Sequence, residues 1–251
     1  MLLSNYRFAL IMMYQILLFS FFLIPFSCSA ESRKQEAISL WKERIEEKHK
    51  PYSELKTEVQ GKRETFREAY NKSNKESQDS IVSEVQKYLL AISDDFFRSW
   101  YDTPWTFHGH SQTPKEGSIA CGYFITTSLR DMGFNIPRIK WAQQASEYLI
   151  KKVSTDIRRF QQKPMKDVIA YIESKGEGLY IVGLDSHVGY IYYINDKMSF
   201  VHANYYKPKI GVMSEPLIGR NPLNDSKYRV IGKIFDKDMI RNWILNVPYS
   251  D

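Results

Sequence analysis

Residues 103–138 read TPWTFHGHSQTPKEGSIACGYFITTSLRDMGFNIPR, and the reading of the fold starts here. A loop rich in Gly, Ser and Thr runs into a single cysteine, Cys121. An apolar-periodic segment follows at once. Ile125, Leu129 and Met132 stand at i, i+4 and i+7, the spacing of one helical face, and Gly133 and Pro137 are stop signals. Cys121 is therefore expected in the first turn of a helix, where free backbone N–H groups and the positive end of the dipole favour an anion. That setting lowers a thiol pKa and makes the nucleophilic thiolate available. The competing reading is a buried structural cysteine, a common place for a free thiol.

Working outward toward the N-terminus, Ser77–Trp100 repeats Ile81, Val85, Tyr88, Leu89, Ile92 and Phe96 at helical spacing, with Phe97 and Trp100 widening the face. This predicts the first packed helix of the main domain, closed by Tyr101-Asp102-Thr103-Pro104 because the residue before a proline is pushed away from helix. Residues 31–76 are rich in Glu, Lys, Arg and Gln. Ile38, Trp41 and Ile45 form one short stripe, Pro51 breaks it, and Leu55, Val59 and Phe66 form a sparser one. So few apolar positions predict a charged helical spacer, or alternatively a docking element for a partner or for the domain itself.

Residues 1–30 differ again. Arg7 is the only charged side chain, Phe8–Phe26 is almost wholly apolar, and Ser27-Cys28-Ser29-Ala30 gives way abruptly to Glu31. This is the shape of an export signal with cleavage after a small residue. The long apolar run also suits a retained membrane anchor, and Cys28 is a candidate for lipid attachment. Each of these expectations puts the bulk of the chain outside the cytoplasm, in the periplasm or cell envelope, with residues 1–30 as the means of any membrane association. Cys28 and Cys121 are the only cysteines among 251 residues. With Cys28 removed or lipidated, Cys121 has no intramolecular partner, and a disulfide framework is excluded. The formal charge is +6 with acidic and basic residues intermixed, and no sustained Lys/Arg run points to nucleic acid.

Toward the C-terminus a helix is predicted over Trp141 to about Phe160 and a shorter one over Met165–Ser174, then mostly strands. Leu179–Leu184 reads as a buried strand. Val188–Ile194 and Met198–Ala203 flank Asn195-Asp196-Lys197 as a hairpin, and Ile210–Met213 and Tyr228–Phe235 complete a small antiparallel sheet. Helices followed by strands argue for an α+β class. Pairing about Asn195-Asp196 sets His187 opposite Asn204, with His202 one diagonal step away, so all three are expected on one face of the sheet. If the Cys121 helix packs on that face, its sulfur meets the His187 imidazole. A second-strand polar group would then fix the ring's tautomer and orientation.

Two blocks together resemble the NlpC/P60 family of papain-like cysteine peptidases. The first is Thr103-Pro104-Trp105, Phe107-His108-Gly109, Ala120-Cys121-Gly122 and Gly133-Phe134-Asn135-Ile136-Pro137-Arg138; the second is His187-Val188-Gly189-Tyr190-Ile191 with Phe200-Val201-His202-Ala203. The resemblance implies the papain-like fold over about Phe97–Phe235. It implies Cys121 as nucleophile, His187 as base and His202 as orienting residue. Asn204 is the rival for that third role, since the family also accepts Asn or Gln there. It further implies a peptide or peptidoglycan amide as substrate, and an exported hydrolase that needs no cofactor. Three positions depart from the family's pattern. Its Asp before the cysteine is Ala120, its Ser after it is Gly122, and its Tyr in the first block is Trp105. In the family these help to hold the free amino end of a wall peptide. With His108, they are the positions expected to touch substrate. A helix also stands where the family has a short loop before the sheet. These departures motivate one alternative, a hydrolase or acyltransferase of the same fold on a non-peptidoglycan substrate. Another is a non-catalytic wall-binding or scaffolding relative in which the N-terminal helices matter most, and the retained Cys121, His187 and His202 argue against it. His108-Gly109-His110 matches no structural zinc spacing, and no metal is expected.

Overall fold

The structure, a computed structural model, describes residues 50–250. The expectations for residues 1–30 and for Ile38, Trp41 and Ile45 lie outside the described residues. Within them the fold is α+β: eight helices and one six-stranded antiparallel sheet. The helices are α1 (Tyr52–Lys72), α2 (Lys75–Trp100), α3 (Cys121–Asp131), α4 (Arg138–Ala142), α5 (Ser146–Val153), α6 (Met165–Lys175), α7 (Pro222–Asp225) and α8 (Lys237–Leu245). The strands are β1 (Ile157–Gln161), β2 (Gly178–Leu184), β3 (Val188–Ile194), β4 (Lys197–Ala203), β5 (Val212–Glu215) and β6 (Tyr228–Lys233), in the order β1-β6-β2-β3-β4-β5. No helix among the described residues is long and apolar enough to cross a membrane.

The hairpin forms where the alternation places it. Tyr190 faces Val201 and Ile194 faces Lys197. Its turn residues Asn195 and Asp196 both have positive φ, 49° and 57°, as a two-residue hairpin turn of the right twist demands. Every residue of β2 is buried, as expected for a central strand covered on both faces. On one face lies the larger core, with Tyr190, Val201 and Ala203 packed against Phe97, Phe124, Ile125 and Leu129. On the other, Ile191 and Phe200 pack with Val168 and Ile172 of α6.

Helix α1 departs from the spacer expected over 31–76. Leu55 and Val59 are buried, and the helix packs against α2 and α8. Its polar groups also reach inward. Tyr52 donates to Asp131 Oδ2 at 2.7 Å and accepts from the Trp100 indole at 2.9 Å, while Arg63 donates to the Gly133 carbonyl at 2.7 Å. The stripe is sparse because two aliphatic anchors and a tyrosine are enough when the rest of the core is supplied by other elements.

The helix predicted over 141–160 is instead two short helices and a strand. After α5 the chain turns extended at Ser154 (φ −143°, ψ 137°), and Ile157–Gln161 pairs along β6. A Cβ at Gly232 would lie 2.6 Å from Ile150 Cγ2 and 2.8 Å from Ser154 Cβ. The close seating of α5 on β6 therefore depends on that glycine and ends the helix where it must clear the sheet. Only Phe160 of β1 is buried, and Arg158 and Arg159 face outward, the charged edge that discourages further strand pairing.

Candidate active site

The loop 101–120 folds back on itself before it delivers Cys121. The Ile119 N–H donates to the Pro104 carbonyl at 2.9 Å and the Ala120 N–H to the Gly109 carbonyl at 2.8 Å. Thr106 and Ser118 join through their hydroxyls at 2.7 Å. A side chain at Gly109 would meet the Ile119 backbone at 2.6 Å, so this crossing requires glycine. Arg138, buried at the start of α4, donates to the His110 and Ser111 carbonyls at 2.9 Å each and to Thr127 Oγ1 at 2.7 Å. The loop is thereby tied to α3.

Helix α3 begins at Cys121 with Ala120 as its N-cap, which offers no side chain to the exposed N–H groups. At Gly122 a Cβ would lie 2.3 Å from the Ala142 carbonyl oxygen. The end of α4 thus presses directly on the first turn of α3, and the family's serine does not fit here. Two hydrogen bonds seat the helix on the sheet: Tyr190 Oη donates to the Ile125 carbonyl at 3.1 Å and lies 2.9 Å from Ser128 Oγ.

Cys121 and His187 line one cavity of about 610 Å³. The four expected substrate contacts, Trp105, His108, Ala120 and Gly122, line the same cavity, as does Tyr205. Cys121 and His187 come to this cavity by a route other than the expected one. Helix α3 covers the sheet face that carries Tyr190, whereas His202 stacks on Phe200 (4.0 Å between ring centroids) on the opposite face. Sulfur and imidazole share a cavity because His187 precedes β3 and the cavity opens at that end of the sheet, beside the first turn of α3.

Behind the cavity stands a buried polar chain. His187 Nε2 lies 2.8 Å from His202 Nδ1, and His202 Nε2 lies 2.9 Å from Glu215 Oε1. His202 is fully buried and His187 is 4% exposed. Asn204, the rival third residue, does not touch His187. Its amide donates to Glu215 Oε1 at 3.3 Å and to Met213 Sδ at 3.2 Å, while its carbonyl accepts from the Tyr206 and Lys207 N–H groups at 2.7 and 3.2 Å. Asn204 closes the turn after β4. Glu215 escapes a sequence reading that ends the strand at Met213. The alternation that buries Val212 would have carried the strand two residues further.

Burial, and after it the neighbouring His202, pushes His187 well below the usual imidazole range. Burial also lowers His202, although the hydrogen bond and charge of Glu215 pull it back up. Burial raises the Cys121 thiol, against the lowering influence of the Val188, Gly122 and Cys121 N–H groups. The lowered thiol expected from the helix start is therefore corrected. The backbone groups act in the expected direction, but desolvation of a thiolate outweighs them. Both directions favour the uncharged forms, a thiol and a neutral imidazole.

Among the described residues no group of three or more His, Cys, Asp or Glu is placed to hold a metal ion. His110 Nδ1 lies 3.0 Å from the His108 carbonyl, a contact within the loop.

No protein-family model matches the chain, and neither does any curated protein. Among solved structures, a similarity is found to an N-acetylmuramoyl-L-alanine amidase from Bacteroides uniformis ATCC 8492. The identity is 11%, the match covers 60% of this chain and 99% of that one, and the TM-score is 0.29.

Proposed function

We propose that the chain is a cysteine hydrolase of the NlpC/P60 kind, cleaving amide bonds by acyl transfer, with peptidoglycan peptides as the first substrate class to test. The observation that carries this is the shared cavity: a cysteine at an uncapped helix start and a histidine whose far nitrogen is held by a second buried histidine. On attack, the Cys121 sulfur bonds to the carbonyl carbon while its proton passes to His187. The tetrahedral oxyanion is met by the Cys121 N–H, a donor worth roughly 3 kcal/mol of barrier. Protonated His187 then gives its proton to the leaving amine, and water, activated by the same ring, hydrolyses the acyl-enzyme. Because burial favours the uncharged forms of both groups, the imidazole acts as general base during attack rather than as partner to a standing thiolate. Residues 1–30 would export the chain or hold it at the membrane, as a lipoprotein if Cys28 carries lipid.

A second reading concerns the substrate. Among the described residues the cavity wall contains no Asp or Glu, so none of them offers a carboxylate to a free amino end there. This favours a substrate whose acyl side is uncharged, in hydrolysis or in acyl transfer to another nucleophile. The test is digestion of purified sacculi beside a panel of peptide amides with free and with acetylated amino ends, the new termini identified by mass spectrometry. Wild-type chain should release new termini and Cys121→Ala none, and acetylated peptides should be cleaved at least as fast as free ones. Equal release by Cys121→Ala would end the hydrolase reading. A strict need for a free amino end would end the second.

A further inference from the structure

With both imidazoles neutral and Glu215 ionised, only one arrangement of protons makes every contact in His187, His202, Glu215 a hydrogen bond. A carboxylate only accepts. Burial pushes the Glu215 carboxyl up, but the hydrogen bonds of His202 and Lys207, together with the Lys207 charge, hold it below the usual carboxylate range. His202 Nε2, 2.9 Å from Glu215 Oε1, must therefore carry a proton and donate it. A neutral imidazole carries a single N–H, so His202 Nδ1 presents a lone pair. His187 Nε2, 2.8 Å from that lone pair, must in turn be the protonated nitrogen. Nδ1 of His187 is then left with its lone pair, on a ring that lines the cavity with Cys121. The carboxylate is itself fixed: Oε1 also accepts from Asn204, and Oε2 from Lys207 Nζ at 3.4 Å, the charged group that faces it from the loop after β4.

We propose that Glu215 is a positioning residue. Without touching substrate, it fixes the tautomer of His202 and through it keeps His187 Nδ1 free to take the Cys121 proton. If the carboxylate is removed, His202 can turn its proton toward His187. The His187 proton then moves to Nδ1 and closes the lone pair that the thiol needs. The consequence for catalysis rests on the hydrolase reading; the tautomers do not.

The test uses the full chain without substrate. Nitrogen-15 NMR of the imidazoles at pH 7.5 should show both His187 and His202 protonated at Nε2 in wild type, with proton density appearing on His187 Nδ1 in Glu215→Ala. Alkylation of Cys121 by iodoacetamide, followed peptide by peptide so that Cys28 is read separately, should slow about tenfold or more, on the scale of losing a carboxylate that orients a histidine. Glu215→Gln keeps an acceptor oxygen and loses the charge. It should keep the wild-type tautomers while the acid limb of the alkylation profile moves to lower pH, because the imidazolium loses its counter-charge. That variant decides the matter if Glu215→Ala does not fold. A wild-type His187 protonated at Nδ1 would overturn the proposal, as would a Glu215→Gln profile that coincides with wild type. A chain that hydrolyses nothing but shows these tautomers and shifts would sink the hydrolase reading and leave this one standing.

Discussion

Gly61 and Gly122 both lie in helices, and alanine adds the same methyl group at each, yet the structure demands opposite outcomes. Around Gly61 in α1 a Cβ meets nothing within 4 Å. Gly61→Ala therefore recovers the backbone entropy and helix preference that glycine forfeits, about 0.5–1 kcal/mol. At Gly122 the same atom would stand 2.3 Å from the Ala142 carbonyl oxygen, with the Ala142 carbonyl carbon at 3.2 Å. Carbon and oxygen settle no closer than roughly 3.3 Å, so α3 and α4 must separate by about 1 Å. The Cβ is placed by the backbone and its partner is a backbone carbonyl, so no rotamer change relieves the contact. Forced movement of this kind costs about 1–3 kcal/mol, more than the helix preference returns. For a domain of this size each kcal/mol moves Tm by about 2–4 °C. Gly61→Ala should melt about 1–4 °C above wild type and Gly122→Ala, with the helix gain of about 0.5 kcal/mol set against the clash, about 1–10 °C below it, by near-ultraviolet circular dichroism, with urea midpoints shifting in the same directions. Gly122→Ala also moves the first turn of α3, so Cys121 alkylation should change in that variant and not in Gly61→Ala. If Gly122→Ala is as stable as wild type, with Cys121 reacting at the wild-type rate, α4 does not press on the helix that begins at Cys121 and the packing described is refuted.

Acid should destabilise the fold through its buried histidines. His187 and His202 are both depressed, so their contribution is complete above the unfolded value of about 6.5 and is lost as pH falls toward the folded values. Urea midpoints should decline below about pH 6.5, and a flat profile down to pH 4 would contradict the burial described. Tyr190→Phe removes the hydroxyl held between Ile125 and Ser128. Ser128 keeps its bonds to the Phe124 and Ile125 carbonyls, so the loss should be only about 1 kcal/mol by urea denaturation. Arg138→Ala deletes three donated bonds, two of them to the loop that carries His108 and His110. It should cost about 2–3 kcal/mol of stability and, in a hydrolysis assay, raise KM more than it lowers kcat. A change in kcat alone would mean that the loop does not bind substrate.

The parts of this fold that were legible in the sequence are those written in local pattern. The alternation about Asn195-Asp196 gives the hairpin and its register, and the Ile125, Leu129, Met132 stripe gives α3 with Cys121 as its first residue. Helix α8 is legible too, with Asp236 as N-cap before Met239, Ile240, Trp243 and Ile244 at helical spacing after the last strand. Strand β1 was not legible, because Ile157–Gln161 carries a single buried side chain and becomes a strand only through pairing with β6. Leu55 and Val59 were readable as a sparse stripe, but whether it faces water, a partner or the domain is decided only where α2 and α8 supply the other walls. At the site, the residue types and their hairpin spacing were readable. The face on which α3 packs, the burial that raises Cys121, and Glu215 at the end of the chain all depend on how distant segments meet.

The most direct test of the proposed chemistry is to trap the acyl-enzyme. The full chain is mixed with sacculus fragments or an acetylated peptide amide, quenched in acid within seconds, and mapped by peptide mass spectrometry. The mechanism predicts the mass of the acyl half of the substrate on Cys121, absent in Cys121→Ser and strongly reduced in His187→Ala. Turnover that leaves Cys121 unmodified and persists in Cys121→Ser would contradict it.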